Sequence, residues 1–429
     1  MVKKFKKKFY FLVASYFVFW ASLVLKKWRP RIIVITGSTG KTTLFYLLQA
    51  QLGEAARFAF DANSTFGIPF DILGLKRKTL QPSEWLSLFV SAPFKALTFK
   101  NDRPKIYVVE ADADRPREAK VLAQLLQPEI VLITNIYQTH AVNFDELVTQ
   151  GSAPNVLTAI ADEFANFAKQ ATGEVLVNGD NAALVQAIER LNLPPEKFTL
   201  LQEQDYLADY QLLAQGTKFT LEKHTYEFAD LLPREISLSL VMVERVVEML
   251  GLRLDPTYKN LHLPPGRSNL LAGIKNTTLI DSTYNANLGS MLAMVKLFER
   301  YPAAGPKWLV LGHMLEEGAQ TKKEHQDLAW AILQTHTIER VFLLGQENQT
   351  EVLPLLEQYW GANKVFFYAS PREALAALKD SLQGGEAIMF KGAPFLEGMV
   401  ERLLADPEQA KQLVRREEIW QKRRQGFYA

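Results

Sequence analysis

A glycine-rich loop near the start of this chain joins an apolar run to an amphipathic one, and it restricts the fold more than any other feature. Ile32-Ile33-Val34-Ile35 leads directly into Thr36-Gly37-Ser38-Thr39-Gly40-Lys41-Thr42-Thr43, and a helix-like run from Leu44 to Leu52 follows. Strand, loop and helix in that order bring backbone N–H groups and a helix N-terminus onto one anion. The two glycines let the backbone approach closely, Lys41 supplies a point charge and Thr42 a hydroxyl for Mg²⁺. The expected ligand is ATP, cradled by Gly37, Ser38, Thr39, Gly40, Lys41, Thr42 and Thr43. The spacing G-x-x-G-K-T-T is tighter than the general phosphate-loop pattern.

With 429 residues, 48% of them hydrophobic, the chain has enough apolar material for two or three domains and is neither disordered nor fibrous. A net charge of +2, from 49 basic and 47 acidic residues, argues against nucleic acid as a partner. The absence of cysteine excludes a disulfide framework, a thiol nucleophile and a cysteine-ligated zinc site, and it suits a reducing compartment.

Charge is uneven at the N-terminus. Lys3, Lys4, Lys6, Lys7 and Lys8 precede an uncharged, aromatic-rich stretch from Phe9 to Leu25, and Lys26, Lys27, Arg29 and Arg31 follow it. This reads as a membrane-associated segment, at the short limit for spanning and with rings suited to the interface. Packing on the protein's own core is the alternative. No small-residue cleavage site marks a signal peptide. The ATP loop follows closely, so the expected location is cytoplasmic, at the inner face of the cell membrane.

Beyond the loop, β-rich runs (Ile106 to Glu110, Ile130 to Asn135, Glu174 to Asn178) alternate with amphipathic ones, which predicts a mainly parallel sheet covered on both faces. Short alternations from Tyr206 to Phe228 predict a small antiparallel appendage, and Ile236 to Leu250 a helix. After Leu263-Pro264-Pro265-Gly266, read as a linker, a second strand–helix series begins at Thr278. The expected fold is α/β. It comprises an N-terminal hydrophobic helix (1–30), a P-loop central ATPase domain (31–260) and a C-terminal Rossmann-like domain (261–429). Glu110 ends one strand and His140 lies just past the next, so both project from the sheet edge that carries the loop. There they are candidates to hold metal near the γ-phosphate.

The phosphate loop, Asn63 to Pro69, Glu110, Thr134-Asn135-Ile136…His140, Asn178-Gly179-Asp180, Gly266-Arg267, Asp281-Ser282-Thr283-Tyr284-Asn285-Ala286-Asn287…Ser290-Met291, Leu311 to Gly318 and Lys391-Gly392 occur in the order found in Mur ligases. From about Arg31 to the C-terminus the chain resembles that family, most closely its D-alanyl-D-alanine-adding members. The resemblance implies an ATP-dependent amide ligase acting on a peptidoglycan precursor and an amino acid or dipeptide, through an acyl phosphate. It places Lys41 on the β/γ-phosphates, Thr42 and Glu110 on Mg²⁺, His140 on a second Mg²⁺, and Arg267 on phosphate after domain closure. Asp281, Asn285 and Asn287 would face the nucleotide, and Lys391 the substrate. A monomer is expected.

Some positions depart from the family pattern. Only 36 residues precede Gly37, where a domain recognising a UDP-linked substrate is expected. Phe164 stands where a carboxylated lysine bridges the metals, Ser282 and His313 stand where aspartates are usual, and the His-Asn pair before the long helix is not visible around Pro233 to Ile236. Alternative readings are a non-catalytic ATP-binding scaffold at the membrane and a poly-γ-glutamate-type ligase.

Overall fold

The computed structural model describes residues 2–77, 83–194, 197–314, 318–393 and 395–428. Its first sheet contains β1 (Arg31–Thr36), β2 (Ala56–Ala59), β3 (Ile106–Glu110), β4 (Ile130–Ile133), β5 (Val175–Asn178) and β6 (Phe198–Leu201) in the order β2-β3-β1-β4-β5-β6. Every pairing in it is parallel. Such a sheet needs cover on both faces, and the near-continuous apolar runs of β1, β3 and β4 are the sequence imprint of that burial.

One face is covered by α1 (Val2–Trp28), α3 (Gly67–Leu73), α4 (Glu84–Leu97), α5 (Glu118–Leu126), α7 (Val156–Gln170) and α8 (Ala182–Arg190), with α6 (Asp145–Thr149) beside them. The other face carries α2 (Lys41–Leu52) and α10 (Ile236–Met249). It also receives the predicted appendage, an antiparallel sheet of β7 (Leu207–Leu213), β8 (Gly216–Leu221) and β9 (Thr225–Phe228), entered through α9 (Glu203–Tyr206).

The C-terminal sheet has the order β10-β11-β15-β12-β13-β14. Its strands are β10 (Asn269–Ala272), β11 (Thr278–Ser282), β12 (Lys307–Leu311), β13 (Ile338–Leu344), β14 (Val365–Tyr368) and β15 (Ala387–Lys391). Only the edge strand β10 runs antiparallel. Helices α11 (Leu288–Arg300), α12 (Thr321–Leu333) and α13 (Leu353–Trp360) pack on one face; α14 (Pro371–Ser381), α15 (Glu397–Leu403) and the terminal α16 (Glu418–Tyr428) lie on the other.

The N-terminal helix departs from expectation. Phe17, Ala21, Val24 and Trp28 form a stripe along α1 that is wholly buried against the first domain. Polar anchors fasten the same face. Tyr10 Oη donates to Glu118 Oε1 (2.6 Å), Tyr16 Oη to the Phe89 carbonyl (2.7 Å), Trp28 Nε1 to the Pro104 carbonyl (2.8 Å) and Lys27 Nζ to the Ala96 carbonyl (2.9 Å). Burying Phe17 and Trp28 alone contributes roughly 2–3 kcal/mol each. The helix is long and apolar enough from Phe9 to Trp28 to cross a membrane, but in this structure it lies packed along the first domain instead of standing free. Of the aromatics read as interfacial, Phe17 serves as domain core, and Trp28 just beyond that stretch does the same.

Candidate active site

The phosphate loop sits at the carboxyl edge of β1, held against the end of β4. Ser38 N–H donates to the Asn135 carbonyl (2.6 Å), Thr134 Oγ1 donates to the Thr39 carbonyl (2.5 Å), and Tyr137 N–H donates to Ser38 Oγ (3.0 Å). Gly37 adopts φ +125°, and a Cβ there would lie 2.4 Å from Thr134 Oγ1 and 2.9 Å from the Asn135 carbonyl oxygen. Only glycine fits that approach. Gly40, in the left-handed region, immediately precedes α2, whose first residues are Lys41, Thr42 and Thr43.

Lys41 Nζ donates to the Gly37 carbonyl (2.5 Å) and lies 3.4 Å from Asp112 Oδ1. Burial presses its ammonium toward neutrality, but Asp112 and Glu110 more than offset this and hold the pKa above the ordinary lysine value. Thr42 Oγ1 donates to Glu110 Oε2 (2.9 Å) and accepts from Arg267 Nη2 (3.0 Å). Arg267 thus crosses from the second domain into the first, with its guanidinium 4.5 Å from the centre of the Tyr284 ring. A second crossing is Gly289 at the start of α11, where a Cβ would meet the Tyr137 ring at 2.4 Å.

Lys41, Thr42, Glu110, Arg267, Asn285, Asn287 and Lys391 all line one cleft between the two sheets. His140 and Asp281 are not among its lining residues. His140 Nε2 lies 3.2 Å from Asp114 Oδ1, and burial followed by Asp112 raises the Asp114 carboxyl to about 6 against the opposing pull of His140. Asp281 is fully buried and accepts from the Thr283 amide (3.0 Å) and hydroxyl (2.7 Å). It shapes the turn after β11 where nucleotide contact was expected. Asn287 caps α11 in a reciprocal box with Ser290, and Asn285 Oδ1 accepts from the Ala286 amide.

Asp112 and Asp114 escaped sequence reading, although the signal was present. Glu110, Asp112 and Asp114 alternate off the end of β3, which puts three carboxylates beside the loop lysine. Among the described residues no three histidine or carboxylate side chains converge as a ready metal cage. Thr42 with Glu110 nevertheless suits Mg²⁺, which takes few protein oxygens and completes its shell with water and phosphate.

Two family signatures cover most of the chain: the Mur ligase middle domain at residues 35–234 and the Mur ligase glutamate ligase domain at residues 266–394. The chain belongs to the Mur ligase family. Among its relatives, the UDP-N-acetylmuramoyl-tripeptide–D-alanyl-D-alanine ligase of Bacillus subtilis is 25% identical over 398 residues, spanning 90% of this chain and 79% of that one. The ligase of the same name from Escherichia coli is also 25% identical, over 76% of this chain and 67% of its own. MurF of Thermotoga maritima in complex with ADP shares the fold with a TM-score of 0.69 at 18% identity, covering 96% of this chain and 84% of that one. MurF of Acinetobacter baumannii gives 0.68 at 19% identity, covering 90% and 79%.

The departures from the Mur ligase pattern acquire places in the fold. Phe164 is almost wholly buried, belongs to the first domain's apolar core and does not line the cleft. Ser282 lines the cleft, with its hydroxyl 3.4 Å from Lys391 Nζ. His313 Nδ1 lies 3.7 Å from Glu347 Oε2. Leu315, Glu316 and Glu317 of the Leu311 to Gly318 block lie outside the described residues.

Lys391 also donates to the Asn285 carbonyl (2.9 Å). Burial, followed by the nearby Arg267 charge, lowers its pKa to about 7, with Asp281 opposing. The native pKa lies below the unfolded value, so the native state binds fewer protons between about pH 7 and pH 10.5, and this group's contribution to stability rises with pH across that window. Phosphate entering the cleft reverses the balance by favouring the ammonium. Mg²⁺-ATP binding at pH 8 should therefore take up close to one proton, read by calorimetry in buffers of different ionisation enthalpy. The uptake should vanish in Lys391→Met; persistence there would place the proton elsewhere.

Proposed function

We propose that this Mur ligase joins D-alanyl-D-alanine, or a closely similar amine, to the peptide carboxylate of a peptidoglycan precursor at the expense of ATP. A substrate carboxylate oxygen attacks the γ-phosphorus and ADP leaves. The amine then adds to the acyl carbon of the acyl phosphate, loses a proton, and expels phosphate from the tetrahedral intermediate as the amide forms. The observation that carries this reading is the convergence of Lys41, Thr42, Glu110, Arg267 and Lys391, from two domains, on one cleft.

Lys41 and the loop amides hold the β- and γ-phosphates in line. Arg267 leaves Thr42 for the transferring phosphoryl group, whose charge it neutralises within a closed cleft. Thr42 and Glu110 would hold Mg²⁺, which when bound shields the triphosphate charge. His140, paired with Asp114, is the candidate partner for a second ion. Lys391 would meet the substrate from the second domain. The location we propose is the inner face of the cell membrane, supported by the apolar α1, whose Phe9, Leu12 and Phe19 remain exposed.

The test is phosphate release from Mg²⁺-ATP with UDP-N-acetylmuramoyl-tripeptide and D-alanyl-D-alanine, each alone and together. Release that requires both is the expected result. ATP binding without release under any combination would favour the scaffold reading.

A further inference from the structure

The first domain exposes a second apolar helix that no part of the ligase reading uses. On α4, Leu86, Val90, Phe94 and Leu97 recur at three- and four-residue spacing, and each is about two-thirds or more exposed, while Leu88, Ala92 and Ala96 on the opposite side are buried. A soluble surface rarely keeps such a stripe uncovered, because each exposed large side chain forgoes roughly 1.5–3 kcal/mol of burial.

α4 lies alongside α1 and runs the same way. Tyr16 bonds to Phe89, Phe17 packs 5.1 Å from the Phe89 ring, and Lys27 further on reaches the Ala96 and Leu97 carbonyls. On its own outer side α1 exposes Phe9, Leu12 and Phe19. Two parallel helices thus turn apolar stripes outward side by side, while their inner faces are locked into one core.

Charge identifies the occupant. α1 contains no acidic residue, and Lys26 on α1 and Lys95 on α4 are both exposed. The sequence adds Lys3, Lys4, Lys6, Lys7 and Lys8 at its start. A second copy of so basic a face would be repelled, whereas apolar side chains flanked by cations match the headgroup and acyl boundary of an anionic bilayer. We infer that the outer faces of α1 and α4 form one docking surface that lies in the plane of an anionic lipid bilayer. This rests on the membrane reading above and sharpens it: α1 neither spans nor acts alone, and α4 carries half of the contact. Because α1 runs antiparallel to β1, its Tyr10 end, bonded to Glu118 just beyond β3, lies at the sheet edge that carries the cleft.

The experiment is co-sedimentation of the full chain with phosphatidylcholine vesicles, with and without phosphatidylglycerol. Wild type should bind the anionic vesicles and dissociate at high salt. Val90→Glu combined with Phe94→Glu should weaken that partition about 30-fold or more, with thermal midpoint and ATP binding unchanged. Binding that survives the double substitution would assign the contact to α1 alone and overturn the shared face. Absence of wild-type binding would defeat the membrane reading as well. A lipid-free dimer that the substitutions dissolve would give the face to a second copy instead.

Discussion

Phosphate release should fall by about 10³-fold in Lys41→Ala, roughly 4 kcal/mol of lost transition-state stabilisation. Lys41 is buried, held by the Gly37 carbonyl, and faces the carboxylates of Asp112 and Glu110. Removing it takes away the cation we propose for the β/γ-phosphates and leaves those carboxylates to repel the incoming triphosphate. Both effects act in a cleft of low dielectric, where each charge counts for more than at the surface. Single-turnover phosphate release beside a nucleotide-binding titration separates the two, since repulsion weakens binding while loss of the positioned cation slows chemistry. A variant retaining more than a tenth of wild-type release would remove Lys41 from the phosphoryl-transfer step.

Phe164→Lys should destabilise the first domain by about 4 kcal/mol and should not raise phosphate release. The motif resemblance leads us to expect at Phe164 the place where Mur ligases carry a carboxylated lysine, which invites the thought that restoring the lysine restores a metal bridge. Phe164 instead fills the core between the sheet and α7, only 2% exposed, in the same apolar cluster as Phe167 and Ala168. A lysine there loses the ring's contacts and must either bury an ammonium or pay to stay neutral. Urea unfolding of the first domain reads the loss as a lower midpoint. A gain in phosphate release with no change in midpoint would mean that position 164 reaches the metals after all.

Much of the fold was legible because its signals are local. The run Ile106 to Glu110 became β3 residue for residue, and the alternations from Tyr206 to Phe228 became the three-stranded sheet. Asn287, read as nucleotide-facing, both lines the cleft and caps α11. The short β2 and the edge strand β10 were not picked out, since neither Ala56–Ala59 nor Asn269–Ala272 contains a β-branched residue, unlike the equally short β4 and β5.

The candidate site divides along the same line. The loop from Gly37 to Thr43, Glu110 at a strand end and Lys391 in its motif belong to contiguous segments whose chemistry follows from residue type and local geometry. Sequence alone therefore determined the family, the phosphate-binding loop and the alternation of strands and helices, since glycine tolerance, apolar periodicity and capping act between near neighbours. Only the tertiary structure decided that Arg267 bonds Thr42 across 225 positions, that Asp281 turns inward, and that one face of α1 is core while the other stays bare. Those outcomes depend on which distant surfaces meet, and an apolar stripe is satisfied equally by a neighbouring sheet or a lipid until the chain's own packing selects one.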